Sequence, residues 1–265
     1  MTTTFDENPQ RDLLRGRIAI VTGAGAGVGR GIAEALAAAG AHVVIAARRL
    51  ATGVETEQII RAAGGSALAI ETDVADRAAV ERLIGHTVAA FGGLDIVIHN
   101  ASSGRAGKPA LLEDIDEAGW YEQSAVGLEA SFYLARAAFP YLRDTGRGRF
   151  IVLSSSQGLH GGAMNPAYPA VKNGQRGFVK ALAREWGPHG IIVNAIAPAA
   201  LTGPAASYLE KNPQFKAQIH QAFPLQRLGD SRDDIGSAVV VLCSDYWRYS
   251  TGLTIPVDGG NYSAL

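Results

Sequence analysis

Residues 17–29 read Arg-Ile-Ala-Ile-Val-Thr-Gly-Ala-Gly-Ala-Gly-Val-Gly. The apolar run Arg17–Val21 has the length and character of a buried strand, and Gly29–Ala39, rich in alanine and ended by Gly40, reads as a helix. Between them lies almost bare backbone. A glycine-rich turn that opens a helix lets a pyrophosphate come close to the chain, and the helix N-terminus offers it free N–H groups and a positive dipole end. The spacing Gly-x-Gly-x-x-Gly does not fit in any register. The spacing Thr-Gly-x-x-x-Gly-x-Gly does, through Thr22, Gly23, Gly27 and Gly29.

From this turn outward, strand-like and helix-like stretches alternate. Strands are expected at His42–Ala46, Ala67–Ile70, Leu94–Ile98, Phe150–Ser154, Ile191–Ile196 and Thr254–Val257. Helices are expected at Thr52–Ala63, Asp76–Phe91 with Asp76 as N-cap, one long element at Glu117–Arg143, Pro166–Trp186 and Asp233–Leu242. Strands that are apolar throughout and alternate with helices predict a parallel sheet covered on both faces. The expectation is therefore an α/β fold: one doubly wound domain over residues 15–265, with a central parallel sheet of about seven strands. Residues 1–14 read as a loose tail. No repeat or interdomain linker is visible.

The 265 residues include 24 Lys and Arg against 25 Asp and Glu, a formal net charge of -1. That balance gives no electrostatic case for nucleic acid or for an anionic membrane. A single cysteine, Cys243, excludes an intramolecular disulfide and a cysteine-based zinc site and fits a reducing cytoplasm. None of the six histidines forms a metal pair at i, i+2 or i, i+4 spacing. The segment Met1–Asp12 is polar and carries acids, unlike a signal or transit peptide, and no apolar run approaches the length of a membrane span.

Tyr168 and Lys172 stand four residues apart, and Ser155 lies thirteen positions before the tyrosine. Residues at i and i+4 share a helix face. A lysine ammonium beside a phenol favours the phenolate and lowers a pKa that is normally about 10. A phenol tuned in this way exchanges a proton with a carbonyl or alcohol oxygen near neutral pH.

Thr22-Gly23-x-x-x-Gly27-x-Gly29, Asp73-Val74, His99-Asn100-Ala101, Ser155, Tyr168-x-x-x-Lys172 and Val257-Asp258-Gly259-Gly260 occur in this order. Together they resemble the single-domain short-chain dehydrogenases/reductases over about residues 15–262, with a C-terminal half similar to 3-oxoacyl-thioester reductases. The resemblance implies a Rossmann-type fold and an oxidoreductase. Tyr168 would be the general acid/base, Ser155 would hydrogen-bond the substrate oxygen, and Lys172 would hold the nicotinamide ribose and lower the tyrosine pKa. Cofactor contacts are implied for Thr22, Gly23, Gly27, Val28, Gly29, Asp73, Val74, Asn100, Pro198 and Thr202, the last falling one position early. A buried structural role for Asn100 is compatible with this. Ala47 followed by Arg48 leaves room for a ribose 2′-phosphate and supplies a cation for it, so NADP(H) is the expected cofactor and NAD(H) the alternative. Arg48 and Arg49 also fit an ordinary solvated turn.

The chain departs from the family pattern at several points. Gly127 stands where a catalytic asparagine is usual; glycine keeps the backbone carbonyl of a water relay and permits a bend, at about 1 kcal/mol of helix stability. Ser102 and Ala199 replace glycines, and His99 replaces an asparagine and reads as structural. These departures sustain a second reading, an NADP-binding protein with little or no turnover. His160 is a candidate wall of the substrate site. Residues 200–226 hold Leu201, Tyr208, Leu209, Phe215, Phe223 and Leu225, a pattern of an amphipathic lid over a partly apolar carbonyl or alcohol, or of plain helix packing. Arg143, Arg147 and Arg149 fit either an acidic carrier protein or a solvated loop. Family relatives assemble as tetramers, so a homotetramer or homodimer is expected.

Overall fold

The computed structural model of the chain describes residues 12–106, 108–161, 163–201, 212, 219 and 221–262. Its centre is a seven-stranded sheet in the order β3-β2-β1-β4-β5-β6-β7. The strands are β1 (Ile18–Thr22), β2 (His42–Ala47), β3 (Ser66–Glu71), β4 (Ile96–His99), β5 (Arg149–Leu153), β6 (Ile192–Pro198) and β7 (Thr254–Val257), and all pairings are parallel. Every side chain of β1 is buried. Such a strand needs apolar residues on both faces, which is why it appears in the sequence as an unbroken run.

Successive side chains divide between two cores. Ala19, Val21, Val43 and Ile45 face a layer formed by α1 (Gly27–Ala38), α2 (Leu50–Ala62) and a C-terminal helix, Ser237–Cys243. Ile18, Ile20, Val44 and Ala46 face the opposite layer of α3 (Arg77–Phe91), α5 (Ala130–Asp144) and α7 (Ala167–Trp186). Asp76 caps α3 as expected, its side chain accepting from Ala78 N–H at 2.8 Å. Leu14, expected at the end of a loose tail, is fully buried against the first layer.

The long element expected at 117–143 is broken into α4 (Glu117–Ser124), a π turn (Ala125–Glu129) and α5. A second π turn, Ser231–Gly236, precedes Ser237–Cys243 where one helix was expected. A π turn inserts a residue and releases carbonyls from the helical ladder, and the released groups need other partners.

Arg149 is not in a solvated loop. It begins β5, is buried, and donates to the carbonyls of Arg147 and Gly148. Arg147 donates to the buried carboxylate of Asp95 at 2.8 Å, and Arg143 pairs with its neighbour Asp144. Arg147 and Arg149 thus staple the N-terminal ends of β4 and β5, and buried Arg149 is not available to an acidic carrier protein. The lid expected at 200–226 lies mostly outside the described residues. Of its described ends, Leu201 N–H donates to the Gly229 carbonyl at 2.8 Å.

Candidate active site

Strand order reverses between β1 and β4, and in an open parallel sheet the C-terminal edge at that point forms a crevice. Asn100, just beyond β4, donates from Nδ2 to the carbonyls of Thr22 (2.8 Å) and Gly23 (3.2 Å). Thr22 Oγ1 in turn accepts the N–H groups of Asn100 and Ala101, each at 3.1 Å. These bonds hold the two strand ends together. Gly23 (φ 66°) and Gly27 (φ 56°) take the left-handed conformation, and Ala26 at the N-cap of α1 has no side chain to bond the first amides.

Those amides adjoin a cleft of about 380 Å³. Gly23, Val28, Gly29, Asp73, Val74 and Asn100 line it, and so does Arg48. Thr22 is buried beneath it, and Gly27 begins α1 beside it. Pro198 ends β6 on the same edge, whereas Thr202 lies outside the described residues. The residues fit a dinucleotide: uncapped helix amides stand at one end, and at the other β2 closes on Ala47 with Arg48 exposed after it. Among the described residues Arg48 has no ion-pair partner.

Ser155 lies beside the Tyr168 phenol and acts to lower its pKa, while its Oγ accepts the Gln157 N–H at 3.2 Å. Lys172, 4% exposed, donates from Nζ to the Leu153 carbonyl at 2.6 Å and lies 5.7 Å from the centroid of the Tyr168 ring. Burial lowers the lysine to a pKa of about 8. The expectation that the lysine depresses Tyr168 is not met in this state. Burial raises the phenol above its ordinary value and outweighs the opposing effect of Ser155. Ser154 has a separate role, bonding the Lys172 carbonyl at 3.1 Å and so anchoring α7 to the end of β5.

The Gly127 carbonyl lies in the π turn and is not free. It accepts from His99 Nε2 (3.0 Å), Gln175 Nε2 (3.0 Å) and Ser131 Oγ (2.8 Å). A carbonyl oxygen has two lone pairs, so three donors exhaust it. The expected water relay at this carbonyl therefore has no acceptor left to use. A Cβ at residue 127 would collide with Val171 Cγ1, the residue next to Lys172. His99 is structural, as expected, and burial, with the charge of Lys172 next in importance, lowers its pKa to about 4. Val171, Ser131 and Gln175 are missed by motif reading. The available signal was positional: Gln175 follows Lys172 by three residues and so shares its helix face.

His160 is exposed at the end of the short helix α6 (Gln157–His160), with its ring centroid 5.8 Å from that of Tyr262. Ser102 lines the cleft, and Ala199 donates from its N–H to the Val257 carbonyl at 3.1 Å.

A parallel sheet with its crevice at the β1/β4 switch, a glycine-rich turn and a Ser-Tyr-Lys cluster define the class of dinucleotide-binding α/β oxidoreductases. A family model described as enoyl-(acyl carrier protein) reductase matches residues 23–261. A 2,5-dichloro-2,5-cyclohexadiene-1,4-diol dehydrogenase of Sphingobium indicum is 36% identical, covering 93% of this chain and 96% of its own. An L-rhamnose 1-dehydrogenase (NAD(P)(+)) of Azotobacter vinelandii is 34% identical over 96% of this chain and 99% of its own. A 12alpha-hydroxysteroid dehydrogenase of a Clostridium species is 33% identical over 92% and 96%. A solved structure from Sinorhizobium meliloti 1021, described as a short-chain alcohol dehydrogenase, superposes with a TM-score of 0.88 at 37% identity, covering 97% of this chain and 100% of that one. The chain belongs to the short-chain dehydrogenase/reductase family and is an oxidoreductase. Among the described residues no helix is long and apolar enough to cross a membrane.

Proposed function

We propose that this protein interconverts a ring-borne secondary alcohol and its carbonyl with NADP(H). The observation that carries the reading is the grouping of Ser155, Tyr168 and buried Lys172 on the sheet edge that holds the glycine cleft. The dinucleotide in that cleft supplies or accepts a hydride. Reduction leaves an alkoxide oxygen that must take a proton at once, and Tyr168, whose phenol burial keeps protonated to still higher pH, is the donor. In the reverse direction its phenolate accepts the alcohol proton. Ser155 Oγ holds the substrate oxygen, and Lys172 turns from the Leu153 carbonyl toward the ribose.

The α1 amides would hold the pyrophosphate and Asp73 and Val74 would contact the adenine; Thr202 is proposed as a further cofactor contact. Arg48 supports NADP(H), since its charge stands beside Ala47 with no described carboxylate to spend it on. The ring alcohol is supported by the names of the relatives, a cyclic diol, a sugar and a steroid dehydrogenase. A lid over 200–226, a homotetramer or homodimer and a cytoplasmic location complete the proposal. The saturated Gly127 carbonyl favours a second reading, a cofactor-binding protein with little turnover.

The test is a panel of cyclic alcohols and ketones assayed with both cofactors. Turnover with NADP(H) that falls by at least about 100-fold in Tyr168→Phe, with cofactor binding retained, supports the reading. Cofactor binding without turnover, indifferent to Tyr168→Phe, selects the second. Ketone reduction should fall at alkaline pH as the phenol loses its proton.

A further inference from the structure

The buried seam between β1, β4, the π turn and α7 is crossed by one continuous run of side-chain hydrogen bonds. Thr22 Oγ1 receives the N–H groups of Asn100 and Ala101, and of the two acceptors for its own hydrogen, His99 Nδ1 at 3.2 Å and the Ile98 carbonyl at 3.5 Å, the imidazole is the nearer. A neutral imidazole that accepts at Nδ1 carries its hydrogen on Nε2, and that nitrogen faces the Gly127 carbonyl at 3.0 Å. Gln175 uses one amide hydrogen on the same carbonyl and the other on Ser131 Oγ at 3.2 Å, and the serine hydroxyl returns to Gly127 at 2.8 Å. Donors and acceptors match along this run except at Gln175 Oε1, which is buried without a partner. Thr22, His99, Ser131 and Gln175 are all at most 1% exposed.

The two ends of the run matter for the chemistry. Thr22 is the last residue of β1, where the chain enters the glycine turn. Gln175 lies on α7 one turn beyond Val171, on the face that carries Lys172. The run therefore ties the strand that presents the cofactor turn to the helix that presents Tyr168 and Lys172.

We propose that His99 is a positioning residue for the proton and hydride transfers: through the Gly127 carbonyl it locks α7 in register with the β1/β4 edge. The inference rests on the function proposed above. Its physical basis is the steep dependence of transfer rates on alignment, where a displacement of about 1 Å costs about 100-fold in rate. Imidazole suits the task because it joins a hydroxyl on one strand to a carbonyl on a helix with a hydrogen bond at each end.

The experiment compares the full-length wild type with His99→Leu, which loses both bonds, and His99→Gln, whose amide mimics Nε2–H. His99→Leu is expected to lower kcat by about 10- to 100-fold, with the cofactor Kd within about 2-fold, and His99→Gln to recover most of the loss. A kcat for the folded His99→Leu protein within about 2-fold of wild type, or an equal loss in both variants, overturns the proposal. Should His99→Leu not fold, ¹⁵N NMR of the wild-type ring decides: a neutral Nε2–H imidazole at pH 6 supports the arrangement, and an imidazolium overturns it. Should the wild type turn over no substrate, the functional reading fails separately. Hydrogen exchange then judges the coupling. Faster exchange of α7 amides in His99→Leu but not in His99→Gln supports it, and unchanged exchange overturns it.

Discussion

Val171 Cγ1 occupies the space into which any side chain at Gly127 would project. The two residues sit on different elements, the π turn and α7, and are fitted to each other. β-branched Val171 is stiff at χ1 and does not swing aside cheaply. Gly127→Ala is therefore expected to destabilise by about 1–3 kcal/mol, and Gly127→Asn by more. Val171→Ala should recover much of this in the double variant, with a coupling of about 1 kcal/mol or more. Urea unfolding of the four proteins measures it, and independent, additive losses would show the pair is not coupled.

Lys172 is a buried cation whose ammonium has one described hydrogen bond, to the Leu153 carbonyl. With the folded pKa lowered to about 8 from 10.5, the unfolded chain binds a proton between these values that the native state does not. The group therefore costs stability at neutral pH, and that cost disappears as pH rises from about 8 through 10.5. The penalty is about 3 kcal/mol, less about 1–2 kcal/mol for the carbonyl bond. Lys172→Met is thus expected to gain about 1–2 kcal/mol of stability at pH 7 while losing activity. A drop in Tm would refute this account of the lysine.

His99 gives a slope of the same sign at lower pH. Its folded pKa of about 4 lies below the ordinary 6.5, so the unfolded state takes up the proton first. The stability it contributes is present above pH 6.5 and is lost as pH falls toward 4. Between pH 7 and pH 4.5 the wild type should lose about 2–3 kcal/mol more than His99→Gln does, read from denaturant midpoints at each pH. Parallel curves would place the acid sensitivity elsewhere.

Arg48 borders the cleft with its charge uncommitted among described residues. Removing one charge-assisted contact costs about 1.5–3 kcal/mol. Arg48→Ala should accordingly raise KM for NADP by about 10- to 100-fold and leave KM for NAD nearly unchanged. Equal effects on both cofactors, or wild-type preference for NAD, would remove Arg48 from specificity.

Much of this protein was legible in one dimension. Buried parallel strands show as apolar runs because both faces are covered, and the glycine turn at 23–29 shows because few other residues tolerate its backbone. Asp76 was readable as a cap because capping is local. The spacing of Ser155, Tyr168 and Lys172 marked out a cluster that the fold brings together on one sheet edge. Residues 117–144 contradicted the helical reading, since nothing local marks a π turn whose Gly127 carbonyl also accepts from His99 on a strand and Gln175 on another helix. The Tyr168 pKa also reversed, because burial is a property of the packed chain. Local backbone preference and hydropathy are written along the sequence. The fit of Val171 to Gly127, the saturation of the Gly127 carbonyl and the burial of Arg149 depend on which distant residues meet, and only the tertiary structure decided them.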